Sequence, residues 1–268
     1  MSLPMVRVVA VTTGRDPAPA QEILARRLAS RLGVDYVPRS RGSLGQTGLG
    51  PQAAVVVVER GRLTIRTGQG ALRYHPGMAL HRIRLLRSGG LDPMVQAMGL
   101  RPGDRVLDAT VGPAWDALVA AWATGEQGEV LGLEKVPALA LLTAEGLRAY
   151  PWPSPDVAAA ASRIRIEAED HLAFLRARPA GSFDVVYFDV MFQQGLPGSQ
   201  AMRAWRELAD PGELTPEALA LARIVARRRV VVKERRDSER LALLQPPRLE
   251  GGSSSRVVYA VWESEAGS

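Results

Sequence analysis

The 268-residue chain contains no cysteine. Disulfides, thiolate metal ligands and a cysteine nucleophile are therefore all excluded. Histidine occurs only at His75, His81 and His171, too few for a multi-histidine metal centre, and no metal is expected. Aromatic residues make up 5% of the chain, which argues against a broad base-stacking platform for single-stranded nucleic acid. No apolar run approaches the roughly 18 residues of a membrane span. The segment from Met1 to Thr13 lacks a basic head and a cleavage pattern, so a cytoplasmic protein without a membrane partner is expected. Lysine is almost missing: of 34 basic residues only Lys135 and Lys233 are lysines.

What is present is ordinary for a globular protein, with 46% hydrophobic and 23% charged residues, and the length suits one large domain or two small ones. The net charge of +6 is carried almost entirely by arginine, whose planar fork grips phosphate. A compositional bias of the genome accounts for the arginine equally well, since Ala, Gly and Pro are abundant too.

Two unequal parts are expected, 1–90 and 91–268. In the first, Val6 to Val11 reads as a strand and Ala20 to Leu32 as a helix stopped by Gly33. Residues 39–51 read as a loop, and Ala53 to Val58 with Leu63 to Arg66 as a hairpin, which together make a small α+β unit. From Leu91 strands and helices alternate. Strands are expected at Arg105 to Leu107, Val130 to Leu133, Ile164 to Ile166, Phe183 to Phe188, Val230 to Val232 and Val257 to Val261. Helices are expected at Trp115 to Ala123, Pro137 to Ala149, up to about Arg178, and Thr215 to Arg228. Nearly all-apolar strands alternating with helices indicate an α/β fold with a parallel sheet covered on both faces.

Ligands of such sheets bind beyond the carboxyl ends of the strands. Four acids stand there: Asp108, Glu134, Asp170 and Asp189. In series they suggest a polar ligand laid across the sheet edge; singly, each is equally a cap for the next helix. Gly112 follows the first strand of the series, and Glu134 lies 22 residues further on, a spacing that suits an acid accepting from ribose hydroxyls. No Gly-Lys-Ser/Thr follows Gly112, and the G-x-G-x-x-G of dinucleotide enzymes is absent, which lowers a hydride-transfer reading. The sharpest signal is Asp189-Val190-Met191-Phe192. The Asp189 carboxylate and the Val190 carbonyl are suited to accept from an amino group, and Phe192 to stack on a flat heterocycle, which would aim the amine lone pair at an electrophile. A strand-end cap beside a core phenylalanine is the alternative.

Five stretches carry a resemblance: Tyr74 to Leu100, Val106 to Ala121 (VLDATVGPAWDALVAA), Leu133 to Leu147, Phe183 to Phe192 (FDVVYFDVMF) and Arg229 to Lys233 (RVVVK). In this order they resemble the class I S-adenosylmethionine-dependent methyltransferases, and within them the small-subunit ribosomal RNA guanine-N2 methyltransferase (RsmJ-like) family and its uncharacterised relatives. The resemblance implies a Rossmann-like, mainly parallel seven-stranded sheet in 91–268, S-adenosylmethionine as cofactor and RNA as partner, with 1–90 as an N-terminal unit and flap. It places Trp115 and Asp116 by the methionine end of the cofactor, Glu134 and Lys135 by the ribose, Glu169 and Asp170 near the adenine, and Asp189 between cofactor and amine. The chain departs from the family pattern at Ala114, where a second glycine is usual, and at Val190, where proline is usual. A Cβ at Ala114 disfavours a positive φ, so a second reading keeps the fold as a binding protein for RNA or a protein partner without catalysis.

The arginines form two groups. Arg82, Arg84 and Arg87 precede the larger part; Arg223, Arg227, Arg228, Arg229, Arg235, Arg236 and Arg240 surround Lys233. Either group suits an RNA backbone, and either suits a solvated face. Lys233 is the best single candidate for a substrate phosphate, or it pairs with Glu234 or Asp189. His75, with Arg82 and Arg84, completes the candidate substrate contacts, although a lone histidine is more often structural.

Overall fold

The structure, a computed structural model, describes residues 6–39, 53–68, 70–190, 205, 208–209 and 214–264. They divide into two compact units.

The first unit takes in residues up to His75 together with Val136–Pro151. Its five-stranded sheet has the order β2-β1-β3-β4-β5, formed by β1 (Arg7–Thr13), β2 (Asp35–Tyr36), β3 (Ala53–Glu59), β4 (Arg62–Thr67) and β5 (Gly70–Arg73). β1 runs parallel to β2 and β3, and β3-β4-β5 is an antiparallel meander. The expected hairpin is there, turning at Gly61 with φ 72°. Helix α1 (Pro19–Leu32) buries Ala25, Leu28 and Ala29 and ends at Gly33, whose φ of 65° is the usual left-handed stop. The helix Pro137–Ala149 packs on β4, and its Gly146 lies directly against the Tyr74 ring.

The second unit holds Pro76–Lys135 and the described residues of 152–195 and 211–264. It begins with α2 (Ala79–Arg87) and α3 (Pro93–Met98). The periodicity had indicated neither; α3 is announced only by its cap, Asp92 before Pro93, whose carboxylate accepts from the Met94 and Val95 amides at 3.1 Å. Then follow β6 (Arg105–Asp108), α4 (Trp115–Ala123) and β7 (Glu129–Leu133). With the helix of the first unit counted as α5, the chain continues through α6 (Pro155–Ser162), β8 (Ile164–Glu167), α7 (His171–Arg176), β9 (Phe183–Phe188), α8 (Pro216–Val225), β10 (Ala226–Arg235), α9 (Glu239–Leu244), β11 (Arg248–Glu250) and β12 (Val257–Glu263).

The seven strands of this unit have the order β11-β12-β10-β9-β6-β7-β8. From β10 to β8 every pairing is parallel; β12 is antiparallel to both of its neighbours. The expected mainly parallel, seven-stranded α/β sheet is therefore what forms. Its core is built of strand residues such as Leu107, Leu131, Val186, Phe188, Val230 and Val232, with Phe174, Ala218, Ala222 and Trp262 packed on them. The helix expected as far as Arg228 ends at Val225, because Ala226 already pairs with Phe183 of β9, ahead of a register shift before Arg229.

The strand order reverses at β6, which lies between β7 and β9. Crevices open at such switch points, and here the β6–α4 loop is stitched to both neighbours. The Ala109 amide donates to the Tyr187 carbonyl at 2.8 Å, and the Val111 amide to the Leu133 carbonyl at 2.9 Å. Val111 can lie that close to β7 only because residue 132 is glycine: a Cβ there would meet Cβ and Cγ2 of Val111 and Cδ1 of Ile166. Gly132→Ala is therefore expected to destabilise the protein by about 1–3 kcal/mol. A lower urea midpoint with unchanged m would show it, and a midpoint equal to wild type would mean that the loop is not clamped on β7.

Candidate active site

The loop Ala109–Trp115 sets the site. Gly112 has φ 49° and Ala114 φ 58° with ψ 30°. Ala114, where the family has a second glycine, therefore takes the left-handed conformation that glycine would take, at a strain of roughly 1–2 kcal/mol. Its amide donates to the Val111 carbonyl at 2.8 Å, and its own carbonyl accepts from Leu118. The loop is thus not closed by refusal of the backbone geometry. Trp115 is accommodated by Gly77 (φ 53°), where any Cβ would overlap the indole.

Beneath this loop five charged side chains meet. Asp116, in the first turn of α4, is 7% exposed. One of its oxygens accepts from Arg82 Nη1; the other accepts from the Tyr187 hydroxyl at 2.7 Å and from Lys233 Nζ at 2.9 Å. Lys233 Nζ also donates to Asp189 Oδ2 at 2.8 Å. Arg82 forms a two-pronged pair with Asp92 at 2.7 and 2.9 Å. Asp189 is fixed by its amide, which donates to Thr110 Oγ1 at 2.6 Å, while the Thr110 amide donates to Asp108 Oδ1 at 3.2 Å. The ends of β6, β9 and β10 and the starts of α3 and α4 are thus held by one polar network.

Its members titrate differently. Burial alone would raise Asp116, but the charges of Lys233 and Arg82 outweigh it and hold this carboxyl well below the ordinary carboxylate range. Burial pushes Asp108 well above that range, and the Asp116 charge adds to the effect. Burial also raises Asp189; Lys233 opposes the rise and Asp116 adds to it, for a net value pushed up to about 6. Burial pulls Lys233 down, but Asp189 and Asp116 more than reverse this, so the ammonium stays charged. Leaving Asp108 aside, the carboxylates of Asp92, Asp116 and Asp189 exceed the cations Arg82 and Lys233 by one negative charge.

The remaining candidates fall at several places. Glu134 follows β7, with its amide on the Glu167 carbonyl at 3.0 Å. Lys135 pairs with Asp170 at 3.4 Å. Asp170 caps α7, accepting from Leu172 and Ala173 at 3.0 and 3.2 Å, with half-buried Glu169 beside it. Val190 is buried; Phe192 lies outside the described residues. Arg84 projects from α2 into solvent, while Arg82 on the same helix turns inward. His75 belongs to the first unit, edge-on to Tyr150. The arginines around Lys233 do not line up as one track: Arg227 faces Asp184, Arg228 is on Asp104 and the Gly99 carbonyl, Arg229 on the Ala97 carbonyl and Arg240 on Glu234. Sequence reasoning missed Asp92, Thr110 and Tyr187. Only Asp92 carried a local signal, its cap position before Pro93.

Comparison with known proteins agrees with this geometry. A family model described as "Putative SAM-dependent methyltransferase" matches residues 54–260. The chain is 32% identical to Bacillus subtilis "Uncharacterized protein YpiP" over 86% of this chain and 90% of that protein. It is 32% identical to Pseudomonas aeruginosa "Ribosomal RNA small subunit methyltransferase J" over 88% of this chain and 89% of that one. Among solved structures, the SAM-dependent methyltransferase NGO1261 from Neisseria gonorrhoeae superposes with a TM-score of 0.64 over 97% of this chain and 98% of its own, at 20% identity. The fold is that of a class I methyltransferase. The chain belongs to the SAM-dependent methyltransferase family that this model defines, and S-adenosylmethionine is its cofactor. The residues present fit that cofactor: the loop adopts its two left-handed turns, acids follow four adjacent parallel strands, and the network's net negative charge suits a cationic sulfonium. Among the described residues no cluster of three metal-ligating side chains occurs, and no helix is long and apolar enough to cross a membrane.

Asp116→Ala leaves Arg82 and Lys233 facing each other in a buried space, so a loss of about 3–5 kcal/mol is expected in a denaturant titration at pH 7. Because folding depresses the Asp116 pKa, its contribution is full above the unfolded value, about 4, and fades as pH falls through the lower folded value. The wild-type and variant midpoints should accordingly converge below about pH 4. A deficit that stayed constant with pH would show that the ion pairs are not its source.

Proposed function

We propose that the protein methylates an exocyclic amine of a nucleobase in ribosomal RNA, guanine N2 by family resemblance, in the cytoplasm. The observation that carries this reading is Asp189. It stands at the carboxyl end of β9, at the switch point of the sheet, held from behind by Lys233 and from its own amide by Thr110, with its side chain still a third exposed. The P. aeruginosa relative, named as an enzyme of small-subunit ribosomal RNA, supports the substrate class.

Bound S-adenosylmethionine supplies a methyl group on a positively charged sulfur. The loop at Gly112, with Asp108, Trp115 and Asp116, would hold its methionine end; Glu134 and Lys135 would meet the ribose hydroxyls, and Glu169 and Asp170 the adenine. The Asp189 carboxylate and the Val190 carbonyl accept from the two amine N–H groups, so the nitrogen lone pair points away from them and toward the donor, a positioning effect. Phe192, which lies outside the described residues, is the proposed stacking partner for the base. Once the nitrogen carries a fourth bond it sheds a proton, and Asp189, more basic than an ordinary carboxylate, is placed to take it. Arg84 and His75 are proposed contacts to the RNA. Arg82 and Lys233, both bound to carboxylates, act on the substrate through Asp116 and Asp189 instead.

The test is transfer of labelled methyl to small-subunit ribosomal RNA that lacks the modification, followed by nucleoside analysis. Label in N2-methylguanosine is expected; label in another nucleoside only would overturn the assignment of the base, and none would overturn the RNA substrate. Asp189→Asn should lower kcat by about 10²-fold or more while calorimetric affinity for S-adenosylmethionine stays within a few-fold. Since the ionised Asp189 is required, the wild-type rate should fall in inverse proportion to proton concentration below about pH 6; a flat profile to pH 5 would remove Asp189 from the reaction.

A further inference from the structure

We propose that Lys233 is a positioning residue for methyl transfer: anchored on Asp116, it takes one oxygen of Asp189 and thereby keeps that carboxylate ionised and turned toward the amine. The proposal rests on the methyltransferase reading of Asp189 and adds the residue on which that reading depends.

The geometry carries it. Lys233 leaves the central strand β10, where its neighbour across the sheet is Tyr259 of β12. Its Nζ bridges two carboxylates, at 2.9 Å to Asp116 and 2.8 Å to Asp189. The two are not equivalent. Asp116 is almost fully buried and receives two further donors, Arg82 and the Tyr187 hydroxyl. Asp189 is a third exposed, and Lys233 Nζ is its side-chain ion-pair partner among the described residues. Asp116 is thus the fixed post, Lys233 the strut and Asp189 the working end. The other groups facing this strut are Asp108 on β6, pushed toward its neutral form, and Tyr187 and Tyr259, both raised and therefore protonated. None of them supplies a second positive charge to Asp189. Without Lys233 the burial of Asp189 and the nearby Asp116 charge would both favour its neutral form, and a neutral acid is a poorer acceptor for the amine and cannot take its proton.

The scarcity of lysine makes a direct test simple. Protein labelled with 15N at lysine Nζ has only two side-chain signals, Lys135 and Lys233. The Lys233 signal should move with a midpoint near pH 6 as Asp189 takes up its proton, and Asp189→Asn should abolish that movement. A Lys233 signal with no inflection between pH 5 and 7 would overturn the proposal without any assay of activity. The second arm reads the reaction. Lys233→Met should lower kcat by about 10²-fold with little change in KM for S-adenosylmethionine, and should move the acidic limb of the pH profile up by about one pH unit or more. Lys233→Arg, which keeps the charge and with it the fold, should return the limb close to its wild-type position with a partial recovery of kcat. A Lys233→Arg limb displaced as far as an uncharged residue would displace it overturns the proposal even where Lys233→Met fails to fold, and so does a Lys233→Met enzyme with wild-type kcat and profile. Wild-type protein that methylates no ribosomal RNA, yet shows the Lys233 inflection, would instead remove the substrate reading and leave the hold on Asp189 standing.

Discussion

A carboxylate buried as deeply as Asp116 costs several kcal/mol of lost hydration unless other groups replace the water. Here three donors replace it, and each comes from a different place: Arg82 from α2, Tyr187 from β9 and Lys233 from β10. The start of α4 therefore cannot be seated unless those three elements are seated as well. The same requirement fixes the β6–α4 loop, since Asp116 lies only two residues beyond Ala114, whose left-handed backbone would otherwise be the easiest part of the loop to relax. The strain at Ala114 persists because the network over-determines it. Satisfying one buried charge thus shapes the floor of the β6–α4 loop and, through Lys233, ties Asp189 to it at the sheet edge.

The network also divides its charges in a chemically useful way. Three carboxyl groups lie close together in Asp108, Asp116 and Asp189, and like charges so close cannot all ionise at the same pH. Their surroundings push them apart: Asp116, with two cations on it, is held well below the ordinary carboxylate range; Asp108, with an amide donor at 3.2 Å, is pushed well above it; Asp189 falls between. The intermediate one is the exposed one. A group that must accept a hydrogen bond and then a proton works best when its pKa lies near the operating pH, and of the three only Asp189 meets both conditions.

Much of this was legible in the chain. Apolar runs such as Phe183–Phe188 and the Pro-initiated helix Pro137–Ala149 have periodicities that leave little choice, and both form with the expected bounds. The strand-end rule brought Asp108 and Asp189 forward without coordinates, because in a parallel sheet a side chain just past a strand end has one edge to face. What the chain did not announce is long-range pairing. Arg82, Arg84 and Arg87 look alike in sequence, yet one is buried on Asp92 and Asp116, one is in solvent and one pairs with Asp156. Helical rotation separates them, and which face turns inward depends on α3 and α4, elements distant in sequence. Short pieces such as α3 and β11 are also invisible to periodicity, since six and three residues complete too little of a pattern.

The arginines around Lys233 show how composition can mislead about function. A dense basic run suggests a phosphate track, but β10 sends successive side chains to opposite faces, and most of these arginines meet an acid or a carbonyl of a neighbouring element. Their charge binds the sheet edge to α3 and to the acids of β9 and β10. For the proposed RNA substrate this leaves the exposed arginines and the overall positive charge, a long-range field of the kind that steers a polyanion. On the proposed reading, selection of a single base within that polyanion would need short-range geometry. On that reading it lies at the β9 end, where Lys233 holds one oxygen of Asp189.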